Sequence, residues 1–163
     1  QQSIASVGIR YEPPTGDLET SGISLQGRGK GFVDLFASGA KAWERFGIQG
    51  SLGANFALDA DNDSSFVHYS AHADYELFER FFPILELNGF TTIDNGNRTA
   101  GDFEGFDLLN FGSTDSGTVI TLAGGARYRL TDNIMAGIGY ESPLTDREDI
   151  INWKFYADLV ITF

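Results

Sequence analysis

Apolar residues stand at every second position through residues 151–163. Ile151, Trp153, Phe155, Ala157, Leu159, Ile161 and Phe163 share one side, and Asn152, Lys154, Tyr156, Asp158 and Thr162 the other. Successive side chains of a β-strand point to opposite faces, so this period predicts a strand with one oily face and one wet face. A strand of about ten residues tilted by roughly 40° crosses the hydrocarbon core of a bilayer. Residues 153–163 form a stretch of that length.

The same period recurs between clusters of Gly, Asp and Asn, and predicts further strands at 3–12, 32–43, 46–58, 66–77, 81–92, 118–130 and 134–143. Residues 32–43 are the least regular, because Phe32 and Phe36 fall on the side of Asp34 and Ser38. Tight connections at 44–45, 78–80 and 131–133 alternate with longer ones at 13–31, 59–65, 93–117 and 144–150. Outer-membrane barrels pair short periplasmic turns with longer external loops in this way. Turn parity agrees: Trp43 is expected to pair with Phe46, Leu77 with Phe81 and Leu130 with Ile134, all on the oily face.

Aromatic residues of that face fall near both ends of the strands. Trp43, Phe46, Tyr75, Phe81, Tyr128 and Phe163 lie toward the tight turns, and Tyr11, Phe56, Tyr69, Tyr140 and Trp153 toward the long loops. Amphipathic rings settle at lipid headgroups, so two such belts are the mark of a membrane barrel. The expected fold is all-β: an antiparallel, up-and-down transmembrane β-barrel of eight strands, one domain over residues 1–163, with both termini periplasmic. A soluble barrel with the apolar face turned inward around a ligand satisfies the same alternation.

Bulk properties narrow the function. The net charge of −12 sets nucleic acid aside as a partner, since phosphate contacts need clustered Lys and Arg. The chain has no cysteine, hence no disulfide scaffold and no thiolate metal site. It has no apolar run long enough for a helical span, a feature that barrels do not need. It begins Gln1-Gln2-Ser3 without an apolar leader, so a signal peptide is expected to have been removed or to lie outside this sequence. The acids concentrate in connections: Asp59, Asp61 and Asp63; Asp94, Asp102, Glu104, Asp107 and Asp115; and Asp146, Glu148 and Asp149. They keep loops solvated and give external tips to which divalent cations are drawn.

With the oily face outward, the interior collects Arg10, Glu12, Asp34, Gln49, Asn55, His68, His72, Asp74, Glu76, Glu86, Asn88, Arg127, Arg129, Glu141, Lys154 and Asp158. Charges packed in so narrow a lumen must pair. Two stacked networks are expected: Arg127 and Arg129 with Asp74, Glu76 and Glu86, and Arg10 and Lys154 with Glu12, Asp34 and Glu141.

His68, Ser70 and His72 share one face, with Asp74 nearby, in a cluster that resembles the His-x-Ser motif of outer-membrane lipid A deacylases. That face is the lumen and Ala71 replaces the Asn expected after the Ser, so no enzymatic activity is expected. Same-face residues four apart on a strand lie about 13 Å apart, too far for His68 and His72 to share a metal. Asp59-Ala60-Asp61-Asn62-Asp63 starts like a calcium loop, but Ser64 replaces its Gly and Ser70 its closing Glu. Gly27-Arg28-Gly29-Lys30-Gly31 lacks the Lys-Ser/Thr pair of a phosphate loop, and Asn97-Arg98-Thr99 fits a glycosylation pattern. No cofactor is implied.

The alternating last strand with its final Phe163 resembles the C-terminal signal of bacterial outer-membrane barrels, which the barrel assembly machinery reads. Outer-membrane lipid and lipopolysaccharide are the partners this implies. Pro14-Thr15-Gly16-Asp17, with Gly31 and Asp34 after it, resembles a turn of the MetA-pathway-of-phenol-degradation family of outer-membrane proteins. Gly137-Ile138-Gly139-Tyr140-Glu141-Ser142-Pro143-Leu144 resembles that family's penultimate strand. The resemblance implies a porin-like transporter for small, partly hydrophobic compounds, usually in a larger barrel. This chain is then either a compact relative or the C-terminal part of a barrel of about twelve strands. A plugged barrel acting through its loops at 13–31 and 93–117 is the alternative function.

Overall fold

Backbone N–H and C=O groups of a strand need a neighbouring strand, and tight turns supply one in antiparallel order. A computed structural model describes residues 2–14, 19–20, 23–24, 30–97, 117–146 and 152–163. Its main sheet has eight strands: β1 (Gln2–Glu12), β2 (Phe32–Ala42), β3 (Phe46–Ala57), β4 (Ser65–Tyr75), β5 (Phe81–Asp94), β6 (Thr118–Thr131), β7 (Ile134–Pro143) and β8 (Lys154–Ile161). Each pairs antiparallel with the next in sequence, giving an up-and-down meander. No helix occurs among the described residues. The connection after β1, expected only as a loop, also holds a short hairpin of Glu19–Thr20 and Ile23–Ser24.

Two of the tight turns close as their length dictates. The Trp43 N–H donates to Phe46 O at 2.8 Å, and the Leu77 N–H to Phe81 O at 3.1 Å. The third turn differs from the expected one: Thr131, not Leu130, stands opposite Ile134, and the register shifts between Arg129 and Thr131. A two-residue turn at Asp132-Asn133, in which Thr131 Oγ1 accepts the Asn133 N–H at 3.3 Å, leaves one residue too many in β6. The bulge absorbs Leu130 and restores Arg129 opposite Met135.

The registers add up to rows that cross the whole sheet. One row runs Ser3, Lys41, Ile48, Ala73, Leu85, Gly124, Tyr140, Phe155. It starts at the tight-turn end of β1 and finishes at the loop end of β8, so the sheet is sheared. Tilted strands in a curling sheet show this stagger. The sheet is not closed, however: among the described residues β1 and β8 each pair on one side only. What holds of the expected fold is therefore eight antiparallel up-and-down strands in one sheet.

Among the described residues, the oily face is left open. Val7 is 85% exposed and Phe155 70%, whereas Asp34 and Glu141 on the opposite face are 4% and 6% exposed. Phe32 and Val119 are the only buried apolar residues among those described. A water-soluble domain buries its apolar face against a second layer. Here that relation is inverted, and an apolar lining around an internal ligand is not what the strands present. The polar face is the concave one, since a single cavity of about 860 Å³ touches Ile4 of β1, Asp74 of β4 and Arg127 of β6.

Candidate functional site

The concave face is built row by row from residues that the register places level. Near the loop end, Arg10 and Asp34 are direct cross-strand partners, with Nη1 and Oδ2 3.9 Å apart. The other Asp34 oxygen accepts a hydrogen bond from His68 Nε2 at 2.9 Å, although β3 runs between the two strands. Gly53 makes this possible, because a Cβ there would collide with the imidazole. Around this cluster stand aromatic rings: Phe66 packs edge-on to Phe90 at 6.1 Å, Arg10 lies over Phe36 at 5.6 Å, and Phe32 is buried. Together they form an inward aromatic layer, which the rule of polar residues inside and oily ones outside does not predict. Its sequence signal was the out-of-phase placement of Phe32 and Phe36.

One level below, Ser6, Ser38, Ser51, Ser70, Asn88 and Thr121 make an unbroken polar row. Ser6 and Ser38 hydroxyls are 2.7 Å apart, and Ser51 and Ser70 hydroxyls 2.8 Å apart. Ser70 of the catalytic-looking cluster thus bonds to Ser51, while the histidines beside it are held by carboxylates. His72 Nδ1 meets Glu86 Oε2 at 3.1 Å, and its Nε2 lies 3.6 Å from Asp74 Oδ2. Asn88 Nδ2 donates to the second Glu86 oxygen at 2.9 Å. Glu141, buried, accepts hydrogen bonds from Thr121 and from the Tyr156 hydroxyl.

Of the two expected stacks, the one near the long loops keeps Arg10 with Asp34, and the one near the tight turns is regrouped. Arg127 takes Asp158, with Nη2 3.2 Å from Oδ2 and Nε 3.2 Å from Oδ1, and also acts electrostatically on Glu86. The reach is over Gly137, level with both residues, where a Cβ would stand 2.8 Å from Asp158 Oδ2 and 2.9 Å from Arg127 Cγ. Arg129 instead covers the Phe82 ring at 5.0 Å and donates to the Glu79 carbonyl at 3.5 Å. Glu76 is tied by its backbone N–H to Arg45 O at 2.7 Å. Lys154 is level with Glu141 and half-buried, and Glu12 is exposed at the end of β1. Small residues open space between these groups. A second cavity, of about 330 Å³, lies over Ala123, Gly125 and Gly139 and is bordered by Glu86, Asp158 and Tyr156.

On the oily face the aromatic residues near the tight turns form two cross-strand groups. Trp43 stacks on Phe46 at 5.6 Å, Phe46 pairs with Tyr75, and Phe81 with Tyr128. Phe163 is exposed beyond β8. Toward the loops, Tyr11 and Phe56 share a row through Val33, Tyr140 meets Phe155 at 6.0 Å, and Trp153 is exposed. Tyr69 stands opposite Gly89 and packs its ring over it.

In the connection after β3, the Asn62 and Asp63 N–H groups donate to Asp59 O at 3.0 and 2.8 Å, and Ser64 Oγ accepts the Gly96 N–H at 3.1 Å. Among the described residues, no three His, Asp or Glu side chains are placed to hold a metal ion. Thr15, Gly16 and Asp17 of the turn motif, Gly27 to Gly29, Arg98, Thr99, Asp102, Glu104, Asp107, Asp115, Glu148, Asp149 and Ile151 lie outside the described residues. Compared with known protein families, curated proteins and solved structures, the chain matches none.

Proposed function

We propose that this chain is an outer-membrane β-barrel protein, its oily face against lipid and its charged face around a lumen, and that it passes small, partly hydrophobic compounds. One observation carries this: an apolar face that no described residue covers backs onto a polar concave face whose charges pair with one another. Contact with acyl chains would remove Val7, Leu52, Phe155 and Leu159 from water, each worth about 1.5–3 kcal/mol. The aromatic belts would then sit at the headgroups and lipopolysaccharide, with both termini periplasmic and the last strand offered to the assembly machinery. The acidic loops would draw divalent cations on the external side. Passage of solutes, rather than catalysis, fits a concave face where Ser70 bonds to Ser51 and small residues leave cavities of about 330 and 860 Å³.

A plugged barrel working through its loops is the second function, and the Phe36, Phe66 and Phe90 layer favours it. The test has two stages. Protein recovered from membranes is expected to change gel mobility on boiling, as closed barrels do, and to give current steps in a planar bilayer. Heat-modifiable protein that leaves the bilayer sealed would replace transport with the plugged form. Protein that partitions wholly into buffer would overturn both.

A further inference from the structure

Charge is almost absent from the oily face. Across the described strands Lys41 is the one charged residue whose place in the register is on that side, and it stands next to the tight-turn end of β2. A cation on a lipid-facing strand is tolerated near the headgroups and is costly at the bilayer centre. The Lys41 ammonium lies 5.0 Å from the centre of the Trp43 ring, and Trp43 in turn stacks on Phe46. Among the described residues no carboxylate forms an ion pair with it.

Beside Lys41 the oily face is hollowed. An apolar groove of about 660 Å³ begins at Lys41 and Gly39 in β2, crosses Gly50 and Ala71, and ends against Leu87 and Leu122. Gly39, Gly50, Ala71, Leu87 and Leu122 form one row of the sheet, so two missing side chains and a methyl group on three adjacent strands make the hollow. The shear of the sheet gives the groove a direction. Gly39 lies toward the tight-turn end of β2, whereas Leu122 lies in the loop half of β6. The groove therefore climbs from headgroup height toward the middle of the bilayer, across four strand spacings or about 19 Å. All of these residues belong to inner strands of the sheet.

We propose that Lys41 and this groove form a binding site for an anionic phospholipid of the leaflet on the tight-turn side, with its phosphate on the Lys41 ammonium and one acyl chain laid along Gly39, Gly50 and Ala71 toward Leu122. The proposal rests on the membrane location proposed above. A cation at the low end of an apolar groove matches a lipid that carries its phosphate at one end and a chain leading away from it. Charge also selects the headgroup. A zwitterionic lipid brings an ammonium of its own that competes with Lys41 for the phosphate, whereas phosphatidylglycerol brings none.

Trp43 reports on the site in the full chain reconstituted in phosphatidylcholine vesicles. Trp153→Phe leaves Trp43 as the only tryptophan, and Trp43→Phe leaves Trp153. Acyl-brominated phosphatidylglycerol, phosphatidylethanolamine and phosphatidylcholine are added in turn as quenchers. Trp43 is expected to prefer phosphatidylglycerol about fivefold over the other two, the effect of one lysine at an anionic lipid surface, and Trp153 to show no preference. Lys41→Gln is expected to abolish the preference. So is Gly39→Leu, which fills the groove; a Cβ at Gly39 meets nothing nearer than the Ile4 carbonyl oxygen at 3.7 Å, so the strand accommodates it. Boiling-dependent mobility checks that both variants fold. Attraction to Lys41 without a groove would survive Gly39→Leu, and that result would overturn the site. So would equal quenching by all three lipids, displacement of the brominated lipid by lipopolysaccharide, or Trp43 shielded from every lipid by a second copy of the chain while Trp153 is quenched. In each of these cases the membrane location stands. Quenching of neither tryptophan by any lipid defeats the membrane location, and the site with it.

Discussion

Leu52→Arg is expected to destabilise the bilayer-inserted protein by about 2–4 kcal/mol, the depth-dependent cost of a cation on the lipid face of a barrel. Leu52 sits in the middle of β3, points to the oily side and is 59% exposed. In a sheet that faces water, a substitution at so open a position changes stability by less than about 1 kcal/mol. The neighbouring Gln49 supplies the control, because it belongs to the concave face opposite His72. Gln49→Arg places the same charge in the same strand and is expected to cost less than about 1 kcal/mol. Urea unfolding from lipid vesicles, followed by tryptophan fluorescence from Trp43 and Trp153, measures both. Equal costs for the two variants would mean that neither face is in contact with lipid.

Asp34→Ala has the second large expected effect. The carboxylate is buried and holds His68 at 2.9 Å and Arg10 at 3.9 Å. Its loss leaves the imidazole without its hydrogen-bond partner beside the Phe66 and Phe90 rings, at an expected cost of about 3 kcal/mol. Arg10 contributes little of this, since its side chain is 70% exposed and can turn to water. Asp34→Asn keeps an oxygen that can accept from His68 and is expected to recover about half of the loss. The same unfolding measurement reads both variants, and equal costs would show that the charge rather than the hydrogen bond matters at this site.

The strands were legible because each carries its own period. Alternation in residues 46–57 or 154–161 follows from the need to keep one face oily, and it needs no knowledge of the neighbouring strand. Turn length then fixes which neighbours pair. The lumen contacts were less legible because they depend on registers compounded across several strands. Arg127 finds Asp158 only because Gly137 between them is level with both, and the register of β8 against β7 is set across a long connection rather than by a tight turn. Asp34 reaches His68 on the diagonal over Gly53, which is level with His68 and leaves room for its ring. The inward aromatic layer broke the expected rule of polar inside and oily outside, so Phe32 and Phe36 registered as irregularity rather than as a feature. Whether the edges meet is a property of tilt and shear, which no single segment encodes.

Everything proposed depends on the oily face meeting acyl chains. Single cysteines at each position of 46–57, spin-labelled in the otherwise cysteine-free chain and reconstituted in vesicles, test that directly. Accessibility to oxygen dissolved in lipid is expected to alternate with period two and to peak at Ile48, Leu52, Ala54 and Phe56. A water-soluble nickel complex is expected to show the opposite phase, favouring Gln49, Ser51 and Asn55. Uniform access of the nickel complex to Leu52 and Phe56 would contradict the account.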